Sequence, residues 1–175
     1  MSLDANPAGK GYALWLLPGE PTFSFLAGEI YRLCQEYSTP RFEPHITLLS
    51  RIVLAEEKAL AKSTTLARIL KPFTIELGDI GYLNEFFRCL FVSVVADTSI
   101  SKARQAACRV FARQSAPYMP HLSLVYGKLP VQIKKKIAPG LGSLSGHGFW
   151  VRRLALYQVS GPVHQWKSIK AFDLT

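Results

Sequence analysis

Two short segments of the sequence share a pattern of residue types that suits acid–base chemistry. Residues 44–48 are Pro-His-Ile-Thr-Leu, and residues 120–124 are Pro-His-Leu-Ser-Leu. The histidines are His45 and His121. Imidazole has an unperturbed pKa of roughly 6.5, so near neutral pH it can both accept and donate a proton. The repeated pattern therefore predicts a site in which one histidine acts as a base and the other as an acid.

The hydroxyl residue in each segment narrows this chemistry to a phosphate ester. Each segment is expected to enter a β-strand directly, because a proline holds the residue before it extended. Side chains two residues apart on a strand face the same side, so His45 lies with Thr47 and His121 lies with Ser123. Hydroxyls can donate hydrogen bonds to the non-bridging oxygens of a phosphate. A structural duplication is the alternative, but it would not require an imidazole in both copies.

The elements around these segments are predicted from apolar periodicity and turn residues. The predicted helices are residues 22–37, 55–70, 97–113 and 131–137, and a glycine-rich loop is expected at 138–147. The predicted strands are residues 11–17, 42–52, 73–83, 86–96, 120–126, 149–159 and 166–173.

The repeated segment suggests how these elements are arranged. Each copy precedes a helix-forming segment, which indicates two related lobes that each contribute one strand to a shared cleft. The sequence therefore predicts an α+β fold in which two antiparallel sheets, related by a pseudo-twofold, surround a central cleft with helices outside. Residues 1–175 are expected to form a single domain.

Composition limits the class of protein and its partners. The net charge of +9 favours phosphate-bearing partners, although a basic soluble protein without them fits equally well. Residues 1–10 lack the apolar core of a secretory signal, and apolar stretches such as 89–96 are too short to span a bilayer. We therefore expect no membrane association and a cytoplasmic location, with the nucleus as the alternative.

The three cysteines show no CxxC spacing; they are Cys34, Cys89 and Cys108. This pattern favours reduced thiols and leaves one disulfide open.

Longer segments resemble a known family. Residues 39–47 (TPRFEPHIT) and 117–126 (PYMPHLSLVY) resemble the plant and fungal cyclic phosphodiesterases of the 2H phosphoesterase superfamily. Residues 14–18 (LWLLP), 86–91 (FFRCLF) and 153–156 (RLAL) agree in the same order. The resemblance thus spans nearly the whole chain.

The resemblance implies an activity more specific than the spacing alone predicts. It implies hydrolysis of ADP-ribose 1″,2″-cyclic phosphate, a by-product of tRNA splicing, to the 1″-phosphate. It also implies opening of nucleoside 2′,3′-cyclic phosphates to 2′-phosphates, without a metal or another cofactor. His121 would activate water and His45 would protonate the leaving oxygen. The expected partner is a small cyclic-phosphate nucleotide, bound by a monomer.

The resemblance also assigns residues around the two histidines. Thr47, Ser123 and Tyr126 would hold the phosphate, and Phe87 and Trp15 would bind the nucleotide, although a position in the core is equally consistent for these two aromatic residues. Arg88 departs from the family pattern, which has a neutral amide at this position. If Arg88 points into the cleft it would bind a pyrophosphate-bearing nucleotide; otherwise it is a solvated strand charge. Strict alternation places Tyr126 on the face opposite His121, so its role requires a bulge or the end of the strand.

Two other functions remain open. One is an RNA-end 2′,3′-cyclic phosphodiesterase or 2′-5′ ligase of the same superfamily, which the positive charge favours. The other is a nucleotide- or RNA-binding module without catalytic activity.

His147 and His164 have no hydroxyl residue two positions later in the sequence and are not assigned to the site. The lysine run 134–136 is predicted to be a solvated helix face.

Overall fold

The strands and helices predicted from the sequence are present in the structure, a computed structural model that describes residues 11–175, apart from the side chain of residue 143. The strands are β1 (Tyr12–Pro18), β2 (Ile46–Ile52), β3 (Phe73–Gly81), β4 (Leu90–Val94), β5 (His121–Val125), β6 (Gly148–Gln158) and β7 (Lys167–Asp173). The helices are α1 (Thr22–Tyr37), α2 (Glu56–Ile69), α3 (Thr98–Val110) and α4 (Val131–Ile137). The expectation about residues 1–10 lies outside the described residues.

All strand pairs are antiparallel, in the order β1-β2-β5-β4-β3-β6-β7. Strand β1 also pairs with β6, so the first six strands form a closed ring and β7 lies outside it on β6. The α+β class is as predicted, but the strands form one antiparallel sheet rather than the two that the sequence predicted. In this sheet β3 pairs with β6, and Ile46 of β2 pairs with Leu122 of β5.

The apolar residues of the two histidine strands form the centre of the core. Ile46, Leu48, Leu122 and Leu124 are at most 1% exposed, and they belong to one cluster with the buried faces of the first three helices. The apolar face of each of these two strands therefore packs inward. The opposite face is thereby left for polar side chains.

Local chemistry accounts for the ends of two of these helices. The Asp97 carboxylate accepts hydrogen bonds from the backbone N–H groups of Ser99 and Ile100, which caps the start of α3. Helix α2 has Glu56 and Glu57 in its first turn and Arg68 in its last, which complements the helix dipole. These signals explain why the helix predictions agree with the structure within a few residues.

The lysine run 134–136 is not wholly solvated as predicted, because Lys134 is 3% exposed and its Nζ donates to the Leu83 carbonyl oxygen at 2.7 Å. Three predicted strand and loop segments also differ from the structure. The strand predicted at 42–52 begins only at Ile46, the strand predicted at 86–96 begins only at Leu90, and the loop predicted at 138–147 contains a 3-10 segment, Ala138–Leu144. Residues Phe86–Arg88 form a 3-10 turn because their backbone groups are used locally and by Gly127, whose N–H donates to the Phe86 carbonyl. Propensity for strand is overridden there by this tertiary hydrogen bond.

Two further observations concern the helices and the cysteines. Within residues 11–175, no helix combines the length and hydropathy that a bilayer crossing requires. Cys34, Cys89 and Cys108 are all free, and the last two are buried.

Candidate active site

One cavity of about 610 Å³ brings together the residues that the sequence singled out. Pockets for small ligands span roughly 300–1,000 Å³, so this cavity has the size of a nucleotide-like ligand site. All the predicted residues line it, namely Trp15, His45, Thr47, Phe87, Arg88, His121, Ser123 and Tyr126. The sequence did not predict the other lining residues, namely Ala13, Ser50, Arg51, Glu85, Val159 and Trp166.

The two histidines are held by matching hydrogen bonds. Nδ1 of His45 lies 2.6 Å from the carbonyl oxygen of Glu43, and Nδ1 of His121 lies 2.9 Å from that of Met119. A carbonyl oxygen only accepts hydrogen bonds, so in each ring Nδ1 carries the hydrogen. The proline before each histidine keeps this preceding residue extended. In the neutral form, each Nε2 therefore carries the lone pair that can accept a proton or a hydrogen bond.

Burial keeps both imidazoles neutral. Loss of hydration lowers the pKa of His45 to about 3; the Glu43 carbonyl opposes the shift, and the charge of His121 adds to it. Burial also lowers the pKa of His121, with Arg88 acting in the same direction and the Met119 carbonyl and Glu85 against it. His45 is 4% exposed, whereas His121 is only partly buried. Both rings are thus neutral at pH 7, and His121 is the more accessible of the two to water.

Aromatic side chains stacked against one face of the His45 ring fix its position. Trp15 stacks on it with ring centroids 3.5 Å apart and planes inclined by 7°, and Tyr157 stacks on the other face of Trp15 at 3.7 Å. The Tyr157 hydroxyl donates to the Glu43 carboxylate, and the Glu43 carbonyl holds His45. The orientation of this histidine therefore depends on a stack of rings as well as on its hydrogen bond.

The position of Trp15 corrects one prediction. Both faces of its ring are covered, and the residue is 2% exposed. A nucleotide base cannot stack on a ring whose two faces are occupied. Trp15 lines the cavity only with its edge, and it positions His45 rather than forming a base-binding surface.

Tyr126 lies just past the end of β5, which terminates at Val125. Because the strand ends before Tyr126, the alternation of side chains along β5 does not force Tyr126 onto the face opposite His121. Its hydroxyl lies 3.3 Å from Nε2 of His45 and donates to it. Burial raises the pKa of Tyr126 above its usual value, so the hydroxyl keeps its proton. Tyr126 can act as a hydrogen-bond donor next to the reacting groups.

The two hydroxyl residues differ in their surroundings. The Oγ of Ser123 donates to the carbonyl oxygen of Phe87 at 2.8 Å, and Ser123 is 4% exposed. Thr47 is partly buried, and its carbonyl oxygen accepts from the Tyr118 hydroxyl at 3.0 Å. A phosphate oxygen would compete with the Phe87 carbonyl for the hydrogen of Ser123. The Ser123 bond also ties β5 to the turn that contains Phe87.

Phe87 and Trp166 form an aromatic wall of the cavity. Their rings are stacked with centroids 5.6 Å apart and planes inclined by 29°. The Trp166 Nε1–H donates to the carbonyl oxygen of Gly161 at 3.0 Å, which fixes the ring. Trp166 belongs to no motif, and no sequence signal identified it. The pair offers the flat apolar surface that a nucleotide base requires.

Arg88 lines the cavity as one half of an ion pair. Its Nη2 and Nε atoms lie 2.6 and 2.9 Å from the Oε2 atom of Glu85, three residues earlier in the same turn. Arg51 and Ser50 reach the cavity for another reason. The register between β1 and β2 shifts twice, so the simple alternation of side chains is lost at that end of β2. Alternation alone therefore could not predict that Ser50 lines the cavity.

The other histidines lie outside this cavity. Nε2 of His147 is 3.0 Å from the Thr22 hydroxyl, and His164 lines a neighbouring cavity of about 410 Å³. That cavity also contains Arg41, whose guanidinium lies 5.0 Å from the centre of the Tyr31 ring. In residues 11–175, no three side chains of histidine, cysteine, aspartate or glutamate gather as a metal-binding group.

Two imidazoles and two hydroxyls line one cavity, on or directly next to the paired antiparallel strands β2 and β5. This arrangement defines the site of a phosphoesterase. Residues 10–162 match the family model described as the 2′-5′ RNA ligase superfamily. The chain belongs to this superfamily, which is also known as the 2H phosphoesterases. It is an enzyme of the phosphoesterase class.

Two relatives and two solved structures are similar along nearly the whole chain. The cyclic phosphodiesterase of Arabidopsis thaliana is 29% identical, over 93% of this chain and 94% of the relative. The 2′,3′-cyclic-nucleotide 3′-phosphodiesterase of Yarrowia lipolytica is 27% identical, over 93% of this chain and 99% of the relative. Apo LigT of E. coli aligns with a TM-score of 0.63 and 18% identity, covering 96% of this chain and 99% of LigT. A Thermus thermophilus protein, TT0787, aligns with a TM-score of 0.62 and 21% identity, over 94% and 97%. These structures share the fold.

Proposed function

We propose that the protein is a cyclic phosphodiesterase that opens cyclic phosphates on small nucleotides, using His45 and His121 as general acid and base. The observation that supports this most is the pair of imidazoles in one cavity, each with Nδ1 hydrogen-bonded to the residue two positions earlier. Each therefore presents Nε2 as the reactive atom. The names of the Arabidopsis and Yarrowia relatives support the same activity.

The proposed substrates are ADP-ribose 1″,2″-cyclic phosphate, opened to the 1″-phosphate, and nucleoside 2′,3′-cyclic phosphates, opened to 2′-phosphates. The wall formed by Phe87 and Trp166 supports a substrate with a flat base. The cavity volume of about 610 Å³ accommodates a nucleotide rather than a longer strand. The name of the Yarrowia relative specifies cleavage on the 3′ side of a 2′,3′-cyclic nucleotide, which would yield the proposed 2′-phosphate.

The difference in burial supports a division of roles between the histidines. His121 is neutral and the more accessible to water, so we assign it as the base that takes the proton of the attacking water. The water oxygen forms a bond to phosphorus while the bond from phosphorus to the ring oxygen breaks. His45 donates its proton to that departing oxygen. The product is an open phosphate monoester with one free hydroxyl.

His45 must gain a proton before it can act as the acid. In the free protein its pKa of about 3 leaves it neutral at pH 7. An anionic phosphate beside Nε2 favours the charged form, because an opposite charge at close range raises the pKa of an imidazole. The Tyr126 hydroxyl, which donates to Nε2 in the free protein, then becomes available to a phosphate oxygen. Substrate binding would thus bring His45 into the protonated form that it needs to act as the acid.

Substitution of each histidine tests this function. We expect His45→Ala and His121→Ala each to lower the turnover of adenosine 2′,3′-cyclic phosphate by about 10²–10⁴-fold, because general acid–base catalysis supplies that much. The matched control is His164→Ala, an exposed histidine outside the cavity. Phosphorus NMR of the product identifies which bond was opened. Absence of turnover in the unsubstituted protein, or full activity of both variants, would contradict the proposal.

The net charge of +9 favours a second candidate, an enzyme of the same superfamily that acts on RNA ends. A direct comparison separates the two. The kcat/KM for ADP-ribose 1″,2″-cyclic phosphate is measured beside that for an oligoribonucleotide with a 2′,3′-cyclic end. A large preference for the oligonucleotide would replace the first candidate with the second.

A further inference from the structure

Arg51 occupies an unusual position on β2. Trp15 of β1 lies opposite Thr47, whereas Leu14 lies opposite Leu49 and Tyr12 opposite Ile52. The register therefore shifts twice within a few residues, and Leu48 and Leu49 are both buried although they are neighbours in the chain. These bulges change the direction of the side chains that follow. Ser50 and Arg51 consequently line the cavity that holds the histidines.

The backbone of Arg51 is held in a conformation that non-glycine residues rarely adopt. Its φ angle is 54°, in the left-handed region. Nη1 of Arg113 donates to the carbonyl oxygen of Arg51 at 2.9 Å, which secures this conformation. Gly11 packs so closely that a Cβ atom there would lie 2.2 Å from the Ile52 carbonyl oxygen. Contacts from Arg113 and Gly11 thus hold the backbone around Arg51 in place where it lines the cavity.

The charge of Arg51 is not balanced by other side chains. Three charged residues line the cavity: Arg51, Arg88 and Glu85. Arg88 and Glu85 neutralise each other in an ion pair, and Arg51 forms no ion pair with any of the residues 11–175. The side chain of Arg51 is exposed. An unpaired guanidinium in a cavity suits an anion, because it can donate two parallel hydrogen bonds to a phosphate.

The distance from the histidine motif fits a second phosphate on the same substrate. Arg51 follows Thr47 by four positions, so at about 3.3 Å per residue their Cα atoms lie at most roughly 13 Å apart. The bulges shorten this distance, and the arginine side chain spans part of it. A phosphate separated from the reacting phosphate by one ribose lies within this reach. Ala13 and Val159 line the same cavity and carry no charge that would oppose an anion.

We propose that Arg51 forms a second anion subsite, which binds a phosphate or pyrophosphate of the substrate other than the cyclic phosphate that reacts. The inference rests on the proposed function, since it assumes a cyclic nucleotide in this cavity. It identifies the preferred substrate class as nucleotides that carry at least one additional phosphate across the ribose. Nucleosides with only the cyclic phosphate would leave the Arg51 charge without a partner.

The test compares substrates that differ only in this phosphate. The kcat/KM is measured for adenosine 2′,3′-cyclic phosphate with and without a 5′-phosphate, in the unsubstituted protein and in Arg51→Met. We expect the unsubstituted protein to prefer the 5′-phosphorylated substrate, and Arg51→Met to lower that preference by about 10–100-fold, as loss of a charge-assisted hydrogen bond implies. The matched control is Arg109→Met, an exposed arginine on α3 outside the cavity.

Two further measurements keep the inference separate from the function. Calorimetric binding of adenosine 2′-phosphate and adenosine 2′,5′-bisphosphate reports the subsite even if no substrate is hydrolysed. If Arg51→Met does not fold, Arg51→Gly removes the side chain and tolerates the left-handed backbone. An unchanged preference in both turnover and binding would overturn the subsite. Absence of turnover with a binding preference that depends on Arg51 would overturn only the proposed function.

Discussion

Acidification should destabilise the folded protein through His45. In the folded state burial lowers its pKa to about 3, whereas in the unfolded chain the pKa is about 6.5. Between these values the unfolded chain binds more protons than the folded protein. The free energy of unfolding therefore falls as the pH falls from about 6.5 towards 3. At neutral pH this loss is absent, because the ring is neutral in both states.

The two pKa values set the size of the effect. From pH 7.5 to pH 5.5, protonation of the unfolded chain at His45 lowers the free energy of unfolding by about 1.4 kcal/mol, and the next unit to pH 4.5 removes about as much again. Because the folded pKa lies well below 5.5, the first loss is set by the unfolded pKa alone. The total free energy of unfolding of small domains is about 5–15 kcal/mol, so the loss is large enough to measure.

Urea unfolding at pH 7.5, 5.5 and 4.5 measures this loss. His45→Asn is the test variant, because its side-chain amide can still donate to the Glu43 carbonyl while it does not titrate. His164→Asn, at an exposed position, is the matched control. We expect the pH dependence to be shallower in His45→Asn than in the control by about 1.4 kcal/mol at pH 5.5. Equal slopes in both variants would refute the reasoning that burial holds His45 neutral.

Three predictions concern the cavity itself. Tyr126→Phe should lower kcat by about 10-fold while the protein stays folded, since it removes only the donor beside His45; unchanged kcat in steady-state kinetics would contradict this. Phe87→Ala should raise KM more than it lowers kcat, because it removes half of the stacking wall, and Phe87→Tyr is its control; a loss confined to kcat would count against it. Turnover should persist in excess chelator, because the two imidazoles supply both proton transfers; dependence on an added divalent ion would show otherwise.

Sequence predictions agree with the structure where the position of a side chain depends only on its own segment. Alternation along a strand is sufficient to place His45 with Thr47 and His121 with Ser123, and turn residues bound most of the elements. Arg51 differs, because its place depends on two shifts in the pairing of β1 with β2, which no property of its own segment indicates. The same applies to Phe87, which lies in a turn stabilised by a hydrogen bond from Gly127 to its neighbour.

Long-range packing explains the remaining differences. The resemblance assigns Trp15 to the nucleotide, but Tyr157 from the distant strand β6 covers the face that His45 leaves free. Trp166 reaches the cavity from the segment before β7, next to Phe87 of another part of the chain. Aromatic residues are large and apolar in both settings, so residue type alone does not separate a core position from a ligand-binding one.

The matching Nδ1 hydrogen bonds also bear on the reverse reaction. Ring closure must retrace the same steps, so His45 would then accept the proton and His121 would return it. Because both imidazoles are held in the same way and present the same atom, neither motif favours one direction. The asymmetry arises from access to solvent, since His121 is partly exposed and His45 is enclosed. In the proposed mechanism the duplicated motif thus supplies two interchangeable proton carriers, and His121 is the one that water can reach.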